Sequence, residues 1–321
     1  MNRRLISFII ISVVSILAGV FEVAQAATSQ KDCTEVGLGA PLGPNRRQGD
    51  IGWCYANAAA DLITYRFQKE LKGARASAGY IALAYSHDYF DGGLSSLAIV
   101  RAQTTGFCPM SVEENVLSRG PKEGIKEKLA GLAELKKRFD ATHGESLASD
   151  LHAQYASTNS VLTAIPRADL IEIFTNSTSS TIAKNLADYL CRGKMIYPEH
   201  FALVVPESKY VFGGATSPLM KTIHEQLSSP HNNILSVSYF AGFFNTDGSA
   251  NNEDDRHVSV VIGRRWHLNR CELQIRNSWG ERCDTYTANS LKDKDMCSKG
   301  NIWVPENILE HAIFGLAYIA K

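Results

Sequence analysis

The sequence predicts an α+β chain in which a helical half precedes a β-rich half, and three patterns carry that expectation. A Gly-rich loop, Gln48 to Gly52, turns at Cys54 into an Ala-rich run. Farther on, two amphipathic stretches have helical spacing, and a strand opening at His257 is joined by a short loop to a hairpin partner in the block Cys271 to Gly280 that carries Asn277. Helical runs followed by strands give segregated layers rather than alternating βαβ units.

Each element has its own signal. After Cys54, residues Ala59, Leu62, Ile63, Arg66 and Phe67 recur at spacings of three and four, which predicts a helix to about Gln68 with one largely apolar face. Ile125, Leu129, Leu132 and Phe139 mark a second helix, and Ile182, Leu186 and Tyr189 a third that stops at Gly193. The run Val258 to Ile262 reads as a buried strand. Gly37-Leu38-Gly39 reads as a loop and not a phosphate cradle, because no strand precedes it and no helix follows.

The amino terminus reads as an export signal. Arg3 and Arg4 precede the apolar run Leu5 to Val20, which leads to Ala24-Gln25-Ala26, so cleavage is expected after Ala26. Ser7, Ser12, Ser15 and Glu22 interrupt the run, which disfavours a membrane anchor of ~20 apolar residues. The expected division is a signal at 1–26, a short segment at 27–47 and a catalytic domain at 48–321 with a helical insertion at about 120–215. The mature chain is expected to be soluble, secreted or periplasmic, and off the membrane. Lys plus Arg number 33 and Asp plus Glu 33, so no bulk charge draws the chain to nucleic acid. An apolar share of 45% provides for a packed core and excludes a disordered chain.

Seven cysteines follow the signal, an odd number, so in an oxidising compartment one thiol is left single. No C-x-x-C or H-E-x-x-H spacing occurs, so no metal is expected. Cys54 is the candidate thiol. At the first turn of a helix, unpaired backbone N–H groups and the positive dipole end favour thiolate. The alternative is a buried, inert cysteine packed as a small hydrophobe.

Around that thiol the chain resembles the papain-like cysteine peptidases. Gln48, Gly49, Gly52, Cys54, Tyr55 and Ala56 match the family's block around its nucleophile. Asp91-Gly92-Gly93 is similar to its Gly-Gly substrate loop. His257 opens a strand whose hairpin partner runs into Asn277-Ser278-Trp279-Gly280, the family's most specific signature, and Gly300 to Val304 is similar to its closing strand. The resemblance implies a papain-like fold with an active-site cleft between the halves. It implies Cys54, His257, Asn277 and Gln48 as catalytic residues and Gly92, Gly93 and Trp279 as substrate-binding ones. Cofactors are none, and the partner is a protein or peptide substrate; oligomeric state and the choice of endo- or exopeptidase stay open.

The same residues also assemble a mechanism on chemical grounds. A thiol nucleophile needs an imidazole to take its proton and later give it to the leaving amine, and His257 supplies one. An amide oxygen at Asn277 would hold the tautomer, Trp279 would shield that bond, and the Gln48 amide with the Cys54 N–H would meet an oxyanion. Two other functions compete: a catalytically silent peptide-binding relative, and an acyl-transferase or cell-wall amidase on the same superfold.

Departures from the family pattern set further expectations. Ile51 stands where the pattern has a Cys three residues before the nucleophile, and that residue's usual partner would fall at Phe90. His257 and Asn277 lie farther downstream than the roughly 130–150 residues of the pattern, which places the extra chain in the helical insertion. Cys283 replaces a second Trp. With only Ala27 to Arg47 before the Gln48 block, and Cys33 tying that segment to the body, no proteolytic activation is expected. Among the six other cysteines, Cys283 with Cys297 is the favoured pair because they bracket a polar loop. Glu253-Asp254-Asp255 reads as a solvated loop, and Asn176-Ser177-Thr178 fits a glycosylation acceptor.

Overall fold

The computed structural model describes residues 29–85, 92–109, 125–142, 165–198, 200–206, 218–245, 256–288, 291 and 295–320. The signal region, Asp91, Phe90 and the Glu253-Asp254-Asp255 run lie outside them. Among the described residues no helix is long and apolar enough to cross a membrane.

The architecture is α+β, as the sequence predicts. The helical half contains α1 (Cys54–Arg66), the single turn α2 (Gln68–Leu71), α3 (Ala78–Tyr85), α4 (Ser95–Thr105), α5 (Ile125–Ala141), α6 (Arg167–Thr175) and α7 (Ile182–Cys191). Both amphipathic helices read from the sequence form, as α5 and α7. Their apolar stripes, Leu129, Leu132, Leu135 and Phe139 on one and Ile182, Ala183 and Leu186 on the other, join the core of this half.

α1 departs from the expectation of a single apolar face. Every residue from Cys54 to Thr64 is buried, including Asn57, Asp61 and Thr64, because α3 and α4 cover one side and the sheet the other. A helix enclosed all round takes small residues, hence its Ala run, and needs partners for its polar groups. Thr64 donates to the Ala60 carbonyl at 2.6 Å and Asn57 to that of Trp53 at 2.8 Å.

The β half is one antiparallel sheet of β1 (Val36–Gly37), β2 (Leu203–Val204), β3 (Leu235–Phe240), β4 (Arg256–His267), β5 (Arg270–Arg276), β6 (Cys297–Ser298), β7 (Asn301–Pro305) and β8 (Ile313–Ile319). Their order is β2-β8-β3-β4-β5-β7-β6. The strand β7, read as the closing one, is followed by α9 (Glu306–Ala312) and then β8, which crosses to pair with β3 on the other side. β4 and β5 meet through Leu268 and Asn269, both at positive φ of 49° and 58°, the geometry of a two-residue hairpin turn.

β4 is the strand shared by the two cores. Val258, Val260 and Ile262 pack toward α1, while Val261 joins Leu235, Val237, Tyr239 and Leu273 in a second core closed by α8 (Pro218–Leu227) and α9. That double burial explains why β4 reads as a continuous apolar run. Along the same edge as β3, β1 pairs with the far end of β4, so Gly37 lies in a short strand and not in the loop expected there. A Cβ on Gly263 would come 2.4 Å from the Val36 carbonyl oxygen, so this approach requires glycine.

Three disulfides fasten the outer segments: Cys33–Cys271 holds the amino-terminal segment to β5, Cys108–Cys191 holds the end of α7 to the loop after α4, and Cys283–Cys297 closes the loop predicted from sequence. Cys54 is the free cysteine.

Candidate active site

Helix α1 begins at Cys54, with Trp53 as its N-cap residue and no side chain capping it. The backbone N–H groups of Val258, Tyr55 and Cys54 itself face the sulfur and favour its charged form. Burial outweighs them and raises the thiol above its ordinary pKa. The helix terminus and these N–H groups favour the thiolate, while enclosure of a group only 9% exposed opposes it.

His257 enters from the neighbouring strand, one residue before Val258. Its Nε2–H donates to Asn277 Oδ1 at 2.7 Å, which leaves Nδ1 as the nitrogen able to take a proton. Burial lowers the imidazole from its ordinary value to about 4, against the opposing effect of the Asn277 bond. Burial thus favours the neutral form of each group.

Asn277 immediately follows β5, whose pairing with β4 brings the amide beside His257. Its Oδ1 also accepts from the Ser278 backbone N–H at 2.7 Å and from Ser259 Oγ at 3.3 Å. Trp279 packs on the imidazole with ring centres 5.3 Å apart. Phe244 and Tyr239 cover other sides of the ring at 6.3 and 5.8 Å, and Tyr286 stacks on Trp279 at 5.6 Å. Cys283, in place of a second Trp, is bonded to Cys297, and Tyr286 with Phe244 supplies the apolar wall.

Gln48 belongs to a segment that zips onto the signature block. Gln48 N donates to the Ser278 carbonyl and Gly280 N to the Arg46 carbonyl, each at 2.8 Å. Its side-chain oxygen accepts from Ser278 Oγ at 2.5 Å, and Nε2 donates to the Ile51 carbonyl at 3.2 Å, which uses one of two amide hydrogens. The amide is thereby fixed on the loop that leads into Cys54.

Gly93 lies against the rings of Tyr55 and Tyr85. A Cβ there would come 2.7 Å from Tyr85 Cε1 and 3.0 Å from Tyr55, so only glycine lets the chain pass this close to the residue after Cys54. Gly92 beside it is exposed with open space around it, as a backbone offered to a ligand requires.

Sequence reasoning missed four residues of this centre: Ser259, Tyr239, Phe244 and Tyr286. The first had a signal, since the period of two along β4 puts Ser259 on the face of His257. Tyr239 pairs with His257 across the ladder, which only the sheet register reveals. Elsewhere His224, Cys271 and Glu306 offer donor atoms within 4.8 Å of one another. The Cys271 sulfur is bonded to Cys33, and His224 Nε2 is paired with Glu306 at 2.9 Å, so this cluster is a closed structural contact.

No protein-family model and no curated protein matches the chain. Among solved structures, the proform of Amb a 11, a cysteine protease and major ragweed pollen allergen, is similar with a TM-score of 0.49 and 12% identity over 89% of this chain, which spans 64% of that proform. Digestive procathepsin L 3 from the larval midgut of Tenebrio molitor is similar with a TM-score of 0.48 and 12% identity, over 92% of this chain and 74% of that one. The bromelain protease of Ananas comosus, in complex with the E64 inhibitor, is similar with a TM-score of 0.46 and 11% identity, over 89% and 98%.

Proposed function

We propose that the chain is an exported cysteine peptidase of the papain kind that cleaves peptide bonds through Cys54, His257 and Asn277. The observation that carries this reading is the 2.7 Å bond from His257 Nε2 to Asn277 Oδ1, made against the Trp279 ring and one residue before Val258, whose backbone N–H faces the free thiol of Cys54. It fixes the tautomer a thiol nucleophile requires.

The chemistry of a thiol nucleophile with an imidazole partner sets the order of events. Substrate entering against Gly92 and Gly93 brings its carbonyl carbon to Cys54 Sγ. As the S–C bond forms, the thiol proton passes to His257 Nδ1, and Asn277 Oδ1 stabilises the resulting imidazolium. The oxyanion is met by the Cys54 N–H and by the remaining Gln48 Nε2 hydrogen. Collapse breaks the C–N bond while the imidazolium gives its proton to the departing amine. Water, deprotonated by the same imidazole, then hydrolyses the thioester and restores the thiol.

The test is incubation of the purified, folded protein with a peptide library and, separately, with the epoxide inhibitor of papain-like enzymes. Cleavage of peptides together with a single epoxide adduct on Cys54 is the expected result. A protein that cleaves no peptide and takes up no epoxide overturns the reading.

A further inference from the structure

Asn277 is held by more than its histidine. Ser259 Oγ lies 3.3 Å from Asn277 Oδ1 and 2.8 Å from the Tyr239 hydroxyl, and all three side chains are buried. A carbonyl oxygen accepts only, so Ser259 must donate to it, and its own oxygen must then accept from the Tyr239 O–H. The direction of every proton in the chain is thereby fixed, from Tyr239 through Ser259 to Asn277. The amide nitrogen of Asn277, by contrast, is buried with no hydrogen-bond partner. With Tyr286 as its neighbour on that side, the amide takes its orientation chiefly from the three donors gathered at its oxygen, His257, Ser259 and the Ser278 N–H.

We propose that Tyr239 and Ser259 form a hydroxyl relay that locks the Asn277 amide with its oxygen toward His257, so that both are positioning residues of the centre. A flipped amide would set Nδ2 against His257 Nε2–H, donor against donor, and would remove the acceptor on which the imidazolium depends. In a flipped state Ser259 would accept from Nδ2 and turn its proton to Tyr239, whose own proton would then have no acceptor among the described residues, so the hydroxyl pair opposes the flip. Tyr239 acts one step back, by keeping the Ser259 proton aimed at Asn277. Its ring, edge-on to the imidazole at 5.8 Å and 82°, fixes the histidine from the other side. The two residues reach this place by register: Tyr239 pairs with His257 across β3 and β4, and Ser259 stands two residues along β4 on the same face.

The relay's catalytic role rests on the peptidase reading, so the test uses one readout that needs no substrate. Ser259→Ala, Tyr239→Phe and the double variant are compared with the parent chain. The readouts are the rate of Cys54 alkylation by iodoacetamide at neutral pH, kcat and KM on a fluorogenic peptide, and the proton resonance of His257 Nε2–H. Each single variant is expected to slow alkylation and lower kcat by about threefold to tenfold, the worth of one hydrogen bond, with KM little changed and the Nε2–H resonance moved. The double variant should match Ser259→Ala alone, because the tyrosine hydroxyl acts only through the serine. Losses that multiply in the double variant, an effect confined to KM, or an unmoved resonance would overturn the relay. Tyr239→Phe keeps the buried ring, so it decides the question by itself if Ser259→Ala fails to fold. A parent chain that hydrolyses no peptide removes the peptidase reading, while the alkylation and resonance series still decides whether the relay exists.

Discussion

Arg276, the last residue of β5, pairs with Asp61, two turns along α1 from Cys54, at 2.8 Å inside the protein. The helix carrying Cys54 is thus tied to the strand that ends one residue before Asn277. Arg46, just ahead of Gln48, pairs with the other Asp61 oxygen at 2.6 Å, and Arg276 also donates to the carbonyls of Gly43 and Pro44. One carboxylate therefore sets the mutual position of the segments that carry Gln48, Cys54 and Asn277.

Asp61→Asn leaves two guanidinium groups buried without their counter-charge and is expected to destabilise the fold by about 3–5 kcal/mol. Burial alone would raise the Asp61 pKa, but the charges of Arg46 and Arg276 prevail and hold it below the ordinary value of 3.8. A group lowered on folding stabilises the native state above its unfolded pKa. That contribution is lost as pH falls through the still lower folded value. Urea unfolding of parent and variant should show the gap closing only below about pH 4.

His257 gives a second and separate window. Its imidazole falls to about 4 in the fold from an ordinary 6.5, so between those values the unfolded chain binds a proton that the native chain does not. Stability should decline by about 1.4 kcal/mol per pH unit on acidification through that window. Unfolding curves between pH 7 and pH 4 for the parent and His257→Gln check this, with the flatter dependence expected for the variant.

In the proposed mechanism catalysis divides unequally between the imidazole and the amide that orients it. His257→Ala should remove peptide hydrolysis nearly completely, because no other group takes the thiol proton. Asn277→Ala should keep a measurable residue, since the imidazole remains under Trp279 and only its orientation is lost. Comparison of kcat/KM for the two variants decides the order.

Gly93→Ala places a methyl group where the Tyr85 and Tyr55 rings already lie, with 2.7 Å as the nearest approach. Displacing a ring next to the nucleophile helix is expected to cost about 1–3 kcal/mol of stability and to raise KM. Gly92→Ala, in open space, should leave stability unchanged. Thermal unfolding of the two variants separates them.

Cysteine pairing is checked by non-reducing peptide mapping. One iodoacetamide-reactive thiol per folded chain, on Cys54, is expected, with Cys33–Cys271, Cys108–Cys191 and Cys283–Cys297 intact. Any of these six found bonded to another partner contradicts the arrangement.

What the sequence made legible was the chemistry that follows local order. Cys54 at a helix start, His257 at a strand and Asn277 on its hairpin partner are short-range patterns; the first two lie in the elements expected of them, and Asn277 stands one residue past the end of β5. The Cys283–Cys297 pair was legible for the same reason, being a short loop. Long-range contacts were not. Asp61 reads as one polar residue on a helix, and only the fold brings Arg46 and Arg276 to it. Ser259 reads as a polar interruption of a strand until Tyr239 is placed opposite. The thiol's raised pKa was hidden as well, because a helix terminus is visible in a sequence and the burial around it is not.

The most direct test of the proposed centre is intact-protein mass spectrometry during turnover of a slowly deacylating peptide ester. The reading predicts a thioester adduct on Cys54 that forms in the parent chain, is absent from Cys54→Ala, and forms far more slowly in His257→Ala. An adduct on another residue, or hydrolysis that survives Cys54→Ala, would contradict it.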